Sequence, residues 1–483
     1  MAPIAHLVCW AFIAFLLVRD ARRRVSLSAA TWIPTVMLFV NLTRTPAEWL
    51  QQQSAVIGFA NDRGGVLIDQ LFFAFVIGVS LVITFLRRVK WSKLIAANAP
   101  LMLFYLYCVG SVLWSYSPMD SLIRVLKDFG ATIVVISVIL SERKPLEALR
   151  AVFVRCACVV IPLSALFTRF SAMGKQFARN GDLMYTGAAT QKNSLGEMLL
   201  ICIMFLVWDH LEERSAARAK RMWSGMSWER IGLILTGLWL LDLSQSRTSL
   251  VSLVIGLTLL LRTGWLASRK ASRAVFILAL SYPVLVLCGQ KASLLSPLLE
   301  MLGRDATFTG RADIWRHITL NTVNPLIGAG FFNFWGGPGG RAIAAAMQTG
   351  IPNAHDGYLD VYLDGGLIGV FLLSCALITS GRRLIRSLPL SRYYGLSFAF
   401  LIVAIVHNVT ESSFSRLSAM WFTTLLAMLE FPSLRDKLNS DPLCKRAVVK
   451  SEDSQCVTGD SQFRAPDRLG LNCGGGLFET LRF

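Results

Sequence analysis

Apolar runs long enough, or nearly long enough, to cross a bilayer recur along most of the chain. They lie at about 3–18, 26–42, 65–86, 94–114, 121–140, 147–168, 193–208, 231–246, 248–261, 274–288, 358–379, 394–409 and 414–432. This pattern predicts an all-α polytopic membrane protein with about 12–13 transmembrane helices, because lipid leaves backbone polar groups no partner outside a helix or a closed barrel. The pattern breaks once, over 290–357, where a long polar segment rich in Arg, Gly and Trp separates two spans. The chain therefore divides into a helix bundle over 1–289, a large external loop over 290–357, further spans over 358–432 and a tail over 433–483. The tail is polar and mixed in charge, without apolar period, and is expected to be a disordered cytoplasmic extension.

Charge sets the orientation. Basic clusters at Arg22–Arg24, Arg87–Lys93, Arg143–Arg150, Arg214–Arg230, Arg262–Arg273 and Arg382–Arg392 follow every second span, which places all six on the cytoplasmic face. The loops at 43–64, 115–120, 169–192 and 290–357 then fall outside, with the amino terminus outside and the tail inside. The first apolar run has no basic region before it and is expected to be a retained span rather than a signal peptide.

Composition agrees. Mean hydropathy is +0.54 and only 16% of residues are charged, against about 25% in soluble domains. The net charge of +18 sits mostly in the short clusters, so it speaks for orientation and not for nucleic acid. The ten cysteines form no CxxC pair and fall mainly within spans or the tail, which argues against a disulfide scaffold or a zinc site. No internal repeat supports an inverted-repeat transporter.

The candidate chemistry gathers at the external ends of the spans. Arg247, in the short turn SQSRTSL, is either a snorkelling side chain or a fixed cation whose fork suits phosphate oxygens. Lys192 and Asn193, in TGAATQKNSLGE, open a span where a helix amino terminus makes an anion site, unless Lys192 is an interfacial anchor. Arg311, in TGRADIW, either holds an anion or caps a helix. Lys175, Arg179, Arg304 and Arg341 read as solvated loop charges, with Arg341 retained as a substrate-binding candidate. His355, in NAHDGYL, sits among polar residues where an imidazole can accept a hydroxyl proton.

Asp356, Asp360 and Asp364 follow at four-residue spacing, so they line one helix face and must line a cavity, pair with cations such as Arg247, or bind a metal. Glu411, in NVTESS, is placed to line the same cavity. Asp69, Arg155, Glu197 and Asp242 are further intramembrane charges expected to be structurally paired. Trp315, Phe331, Phe332 and Trp335 either stack on sugar rings or close the loop onto the spans.

KNSLGE, SQSRTSL, TGRADIW, NPLIGAGFFNFW and AHDGYLDVYLDGGLIG, in this order, resemble the O-antigen ligase and Wzy-type polysaccharide polymerase superfamily, particularly ExoQ-like exopolysaccharide production proteins. The resemblance covers roughly Leu94 to Leu429 and leaves out the tail. It implies a GT-C-like membrane glycosyltransferase of the bacterial cytoplasmic membrane. Such an enzyme uses an undecaprenyl-diphosphate-linked oligosaccharide donor and a glycan acceptor, with no metal and no cofactor. By the same resemblance Arg247 and Arg311 hold the diphosphate, His355 acts at the acceptor hydroxyl, and a chain-length regulator is a partner. Where the family usually has Asn after the histidine, this chain has Asp356, which leaves open whether residue 356 positions the acceptor or shares the histidine's proton. An exopolysaccharide polymerase is thus the expected activity. The alternatives are a ligase that transfers glycan to lipid A core, and a non-enzymatic flippase or exporter of lipid-linked oligosaccharide.

Overall fold

The computed structural model describes residues 2–24, 26–50, 66–177, 181–219, 227–292, 311–320, 323–347 and 353–432. The tail over 433–483 and much of the loop after 292 lie outside the described residues.

The chain is an all-α polytopic membrane protein. Every predicted apolar segment falls on a helix or on a run of short helices. Among the described residues five helices are long and apolar enough to cross a membrane alone: Pro3–Arg22, Leu67–Leu86, Pro145–Phe170, Lys192–Ser215 and Gly357–Ser387. Ala29–Leu42, Arg247–Leu261, Arg392–His407 and Ala419–Met428 are shorter apolar helices. The one strand pair described, Lys175–Phe177 with Leu183–Tyr185, is antiparallel and lies in the loop over 169–192.

Burial sorts the helices. Pro145–Phe170, Lys192–Ala219, Arg392–His407 and Ala419–Met428 form the centre of the bundle, where Phe153, Phe205 and Phe400 stack in series at 3.5 and 5.0 Å between ring centroids. Leu67–Leu86 is strongly apolar after its first turn and exposes Leu71, Phe75 and Phe85, the signature of a lipid-facing helix.

Two predicted segments are not simple spans. The segment at 94–114 bends by 98° between Trp91–Ala97 and Ala99–Trp114. Pro100 lacks the amide that would continue the ladder, and the Asn98 side-chain amide donates to the carbonyl oxygens of Leu94 (2.8 Å) and Glu430 (2.9 Å). The segment at 414–432 is helical only over Ala419–Met428, where the Ser418 hydroxyl accepts from the Trp421 amide at 3.0 Å.

The helix Gly357–Ser387 is broken at Gly366, which has φ of +62°. The break frees backbone groups in the membrane-spanning region, and the segment NPLIGAG satisfies them. The Leu367 and Ile368 amides donate to the carbonyl oxygens of Pro325 (2.8 Å) and Leu326 (3.1 Å). In return the Ala329 and Gly330 amides, each at 2.9 Å, donate to Leu363 and Asp364. The loop thus acts as a staple in the helix break. A Cβ at residue 366 would lie 2.3 Å from the Leu326 carbonyl, and one at residue 328, also left-handed (φ +67°), would lie 2.5 Å from that of Asp364. Gly366→Ala is expected to cost about 1–3 kcal/mol from backbone conformation alone, with the clash in addition. A thermal melt of the purified variant should show a clear decrease, and an unchanged midpoint would refute the tight fit at this break.

Residues from four of the six basic clusters predicted for one face take part in ion pairs at one end of the bundle. Arg24, Arg150 and Arg230 meet on Asp209, and Arg87 pairs with Glu142. Asn193 and Asp209 belong to the same helix, sixteen residues apart, or about 24 Å at 1.5 Å per residue. The ionic network and the polar groups around Asn193 therefore occupy opposite ends of the bundle.

Candidate functional site

At the Asn193 end lies an open cleft of about 330 Å³ lined by Asn193, Glu197, His355 and Glu411 together with Arg44, Glu48 and Lys127. These residues are distant in sequence, and the fold brings them together through short polar turns at helix ends.

The turn that carries His355 is clamped from several sides. The Trp315 indole donates to the Ala354 carbonyl at 2.9 Å, and the Ala354 amide donates to the Asp360 carboxylate at 3.0 Å. The His355 amide donates to the Asn353 side chain at 3.0 Å. Two residues on, the Gly357 amide donates to the carbonyl oxygens of Asn408 (2.8 Å) and Glu411 (3.0 Å). His355 itself has φ of +52°, a left-handed conformation that few non-glycine residues adopt, and these clamps hold it there. Its side chain is half-buried, with Nδ1 3.7 Å from Glu411 Oε2. The other oxygen, Glu411 Oε1, accepts from the Asn193 amide at 2.8 Å.

Asp356 has a structural role. Its carboxylate oxygen accepts from the Tyr358 (2.9 Å) and Leu359 (3.1 Å) amides, so it caps the helix Gly357–Ser387. Asp360 and Asp364 do not line the cleft. Asp360 accepts from the Trp335 indole at 2.7 Å and pairs with Arg416 at 3.0 Å, not with Arg247. Asp364 accepts from the Asn333 (3.2 Å) and Phe334 (3.3 Å) amides. Spacing identified a shared helix face, but these carboxylates hold the loop to that face. Trp335 and Phe331 are buried, and Phe332 is held between the guanidiniums of Arg124 (4.8 Å) and Arg416 (4.6 Å). These aromatics close the loop onto the spans.

Arg247 begins the helix Arg247–Leu261 with its side chain exposed. The neighbouring Thr248 hydroxyl lies 2.9 Å from that of Thr410, the residue before Glu411, which places Arg247 at the same end of the bundle as the cleft. Lys192 starts its helix half-buried, one residue before Asn193. Arg311 begins the helix Arg311–Leu320, one turn before Trp315, while its side chain lies outside the described residues. Trp315 is half-buried, and its indole N–H is engaged by the Ala354 carbonyl, so it supports the His355 turn. Arg341 is not part of the cleft. It is exposed, stacks over Tyr116 at 5.0 Å, and reaches the Gly336 carbonyl at 3.4 Å.

Arg44 and Lys127 are additional cations that the sequence reading passed over. The Arg44 guanidinium donates to the carbonyl oxygens of Met173 (2.6 Å), Ala189 (2.8 Å) and Ala188 (3.3 Å), tying the strand-bearing loop to the cleft. Burial draws its pKa below the ordinary guanidinium value, and the Glu48 carboxylate acts in the opposite direction. Lys127 lies over the Phe73 ring at 3.8 Å. A lysine inside the apolar run at 121–140 was a visible signal for it. Of the other intramembrane charges, Glu197 accepts from the Met420 amide at 2.9 Å, Asp69 from the Ala47 amide at 2.9 Å, and Arg155 pairs with Asp20 at 2.9 Å. Among the described residues no group of three or more His, Cys, Asp or Glu is arranged to hold a metal ion.

Residues 232–374 match the family model described as O-antigen ligase (Wzy_C). That stretch runs from the helix before Arg247 through the stapled break, and so includes Arg247, Arg311 and His355. The chain is similar to the O-antigen ligases and to ExoQ. Exopolysaccharide production protein ExoQ of Rhizobium meliloti (strain 1021) is 26% identical to it over 287 residues, 57% of this chain and 63% of that protein. The chain thus matches less than two thirds of that relative's length. The resemblance read from the five sequence motifs and these two matches point the same way.

Proposed function

We propose that the chain is an exopolysaccharide polymerase acting at the external face of the bacterial cytoplasmic membrane. It transfers an undecaprenyl-diphosphate-linked oligosaccharide to the hydroxyl of a glycan acceptor. The observation that carries this reading is the composite cleft. It joins a strained, solvent-reachable histidine to cations and carboxylates from distant helix ends, at the end of the bundle opposite the buried ionic network. Similarity to a protein named for exopolysaccharide production supports the polymerase reading, while the match to the O-antigen ligase family keeps transfer to lipid A core as the second reading.

The acceptor hydroxyl gives its proton to His355 as its oxygen bonds to the anomeric carbon. The bond from that carbon to the diphosphate oxygen breaks, and the electron pair leaves with the diphosphate. Inversion follows from a single displacement. Arg247 and Arg311 meet the charge of the leaving group, a task suited to planar guanidinium forks. The enzyme is proposed to need no metal.

Purified protein supplied with a lipid-diphosphate oligosaccharide should release free lipid diphosphate and form a ladder of longer glycans, with EDTA leaving the rate unchanged. Product only when lipid A core is added would establish the ligase reading, and passage of the lipid without bond cleavage would defeat both. Arg247→Ala should lower kcat/KM for the donor by about 10²-fold. A variant with wild-type kinetics would remove Arg247 from the site.

A further inference from the structure

Glu411 lies closer to the chemistry than its place in a short turn suggests. Its backbone carbonyl accepts from the Gly357 amide at 3.0 Å, and its side chain reaches back to His355. Asn193 fixes one carboxylate oxygen at 2.8 Å, which leaves the other directed at imidazole Nδ1 at 3.7 Å. The Glu411 side chain is 14% exposed and that of His355 27%, so water only partly screens the pair. Asp356, the neighbouring carboxylate, caps the helix Gly357–Ser387 through its Oδ1.

We infer that Glu411 is the positioning residue of His355: it accepts Nδ1–H, fixes the tautomer with Nε2 unprotonated, and so presents Nε2 as the base. This rests on the transfer reaction proposed above. A gap of 3.7 Å is wider than a hydrogen bond, and catalytic contacts in unliganded sites commonly tighten when substrate binds. In the transfer step the acceptor proton moves to Nε2 and the resulting imidazolium is stabilised by the Glu411 carboxylate, which itself stays ionised. The other charged groups facing the cleft are Arg44 and Glu48 beyond the Trp32–Leu42 helix, Lys127 on Pro118–Phe129 and Glu197 on Lys192–Ala219. Glu197 is engaged by the Met420 amide and Arg44 by three carbonyls, so Glu411 is the carboxylate placed to orient the ring.

The test is Glu411→Gln in the full-length protein in lipid nanodiscs, since glutamine retains an oxygen for Asn193 but loses the charge. Two measurements are made: donor kinetics, and ¹⁵N spectra of histidine-labelled protein in which the His355 signal is identified by its loss in His355→Asn. The expected result is a fall in kcat of about 10²-fold with KM for the lipid-diphosphate donor unchanged. The protonated-Nδ1 signature of His355 should be lost, and Glu411→Asp should restore part of the rate. An unchanged tautomer in Glu411→Gln, or a raised KM with unchanged kcat, would overturn the inference. If wild-type protein transfers no glycan but the tautomer still depends on Glu411, the pairing stands and the proposed reaction falls.

Discussion

His355→Asn is expected to lower glycan transfer by at least about 10²-fold while leaving expression and melting temperature unchanged. Asparagine is the informative replacement because residue 355 has φ of +52°, a conformation that asparagine tolerates better than most side chains. The turn should survive, since its clamps use the backbone of residue 354 and the neighbouring cap, not the imidazole. Asparagine retains polarity and approximate size but cannot take a proton at neutral pH. Loss of transfer would therefore report missing base chemistry and not a collapsed loop. Donor binding, followed by labelled lipid diphosphate, should persist because Arg247 and Arg311, the cations proposed to hold the diphosphate, are untouched. If His355→Asn turns over within a few fold of wild type, the base lies elsewhere in the cleft and the assignment fails.

What could be read from sequence follows what is local. Span positions and the grouping of basic clusters depend on composition within short windows, and Arg24, Arg150 and Arg230 do meet at one end of the bundle. The histidine stood out because a polar turn at a membrane boundary is unusual in an apolar chain. The break at Gly366 was not readable. Its hydrogen-bond partners lie some forty residues upstream in NPLIGAG, which looks like an ordinary Gly-rich loop until both halves are in place. For the same reason spacing left open whether Asp360 and Asp364 line a cavity, pair with a cation or bind a metal, and could not show that Asp360 pairs with Arg416 and that both anchor that loop. Glu411 was recognised as a lining residue, but its orientation toward Nδ1 depends on Asn193, more than two hundred residues earlier. Arg44 and Lys127 escaped notice because one sits just past a span and the other inside one, without a motif around either.

Asp209→Asn should be the most destabilising single change at the other end of the bundle, at about 3–5 kcal/mol. Asp209 is 1% exposed and receives Arg150 and Arg230, each at 2.5 Å, with Arg24 at 3.6 Å. These arginines come from three different chain segments, so one carboxylate ties them to the Lys192–Ala219 helix. Glu213 pairs with Arg230 at 3.0 Å and Arg150 at 3.6 Å, but it is 36% exposed and sits a turn away. It can offset only part of the loss. Arg24 keeps Asp20 at 2.6 Å, but removing the charge leaves the buried Arg230 with only the more exposed Glu213, and a buried charge short of its partner costs far more than the net worth of the pair. The exposed pair Lys144–Glu147, at 3.2 Å with side chains 54% and 41% exposed, provides the contrast. Lys144→Ala should change stability by less than about 1 kcal/mol. The cleft lies about 24 Å away along the shared helix, so folded Asp209→Asn protein should transfer glycan at the wild-type rate. A large drop in melting temperature with preserved turnover would separate the structural end of the molecule from its reactive end. If Asp209→Asn melts with Lys144→Ala, helix packing and not this ionic network holds the Asp209 end of the bundle together.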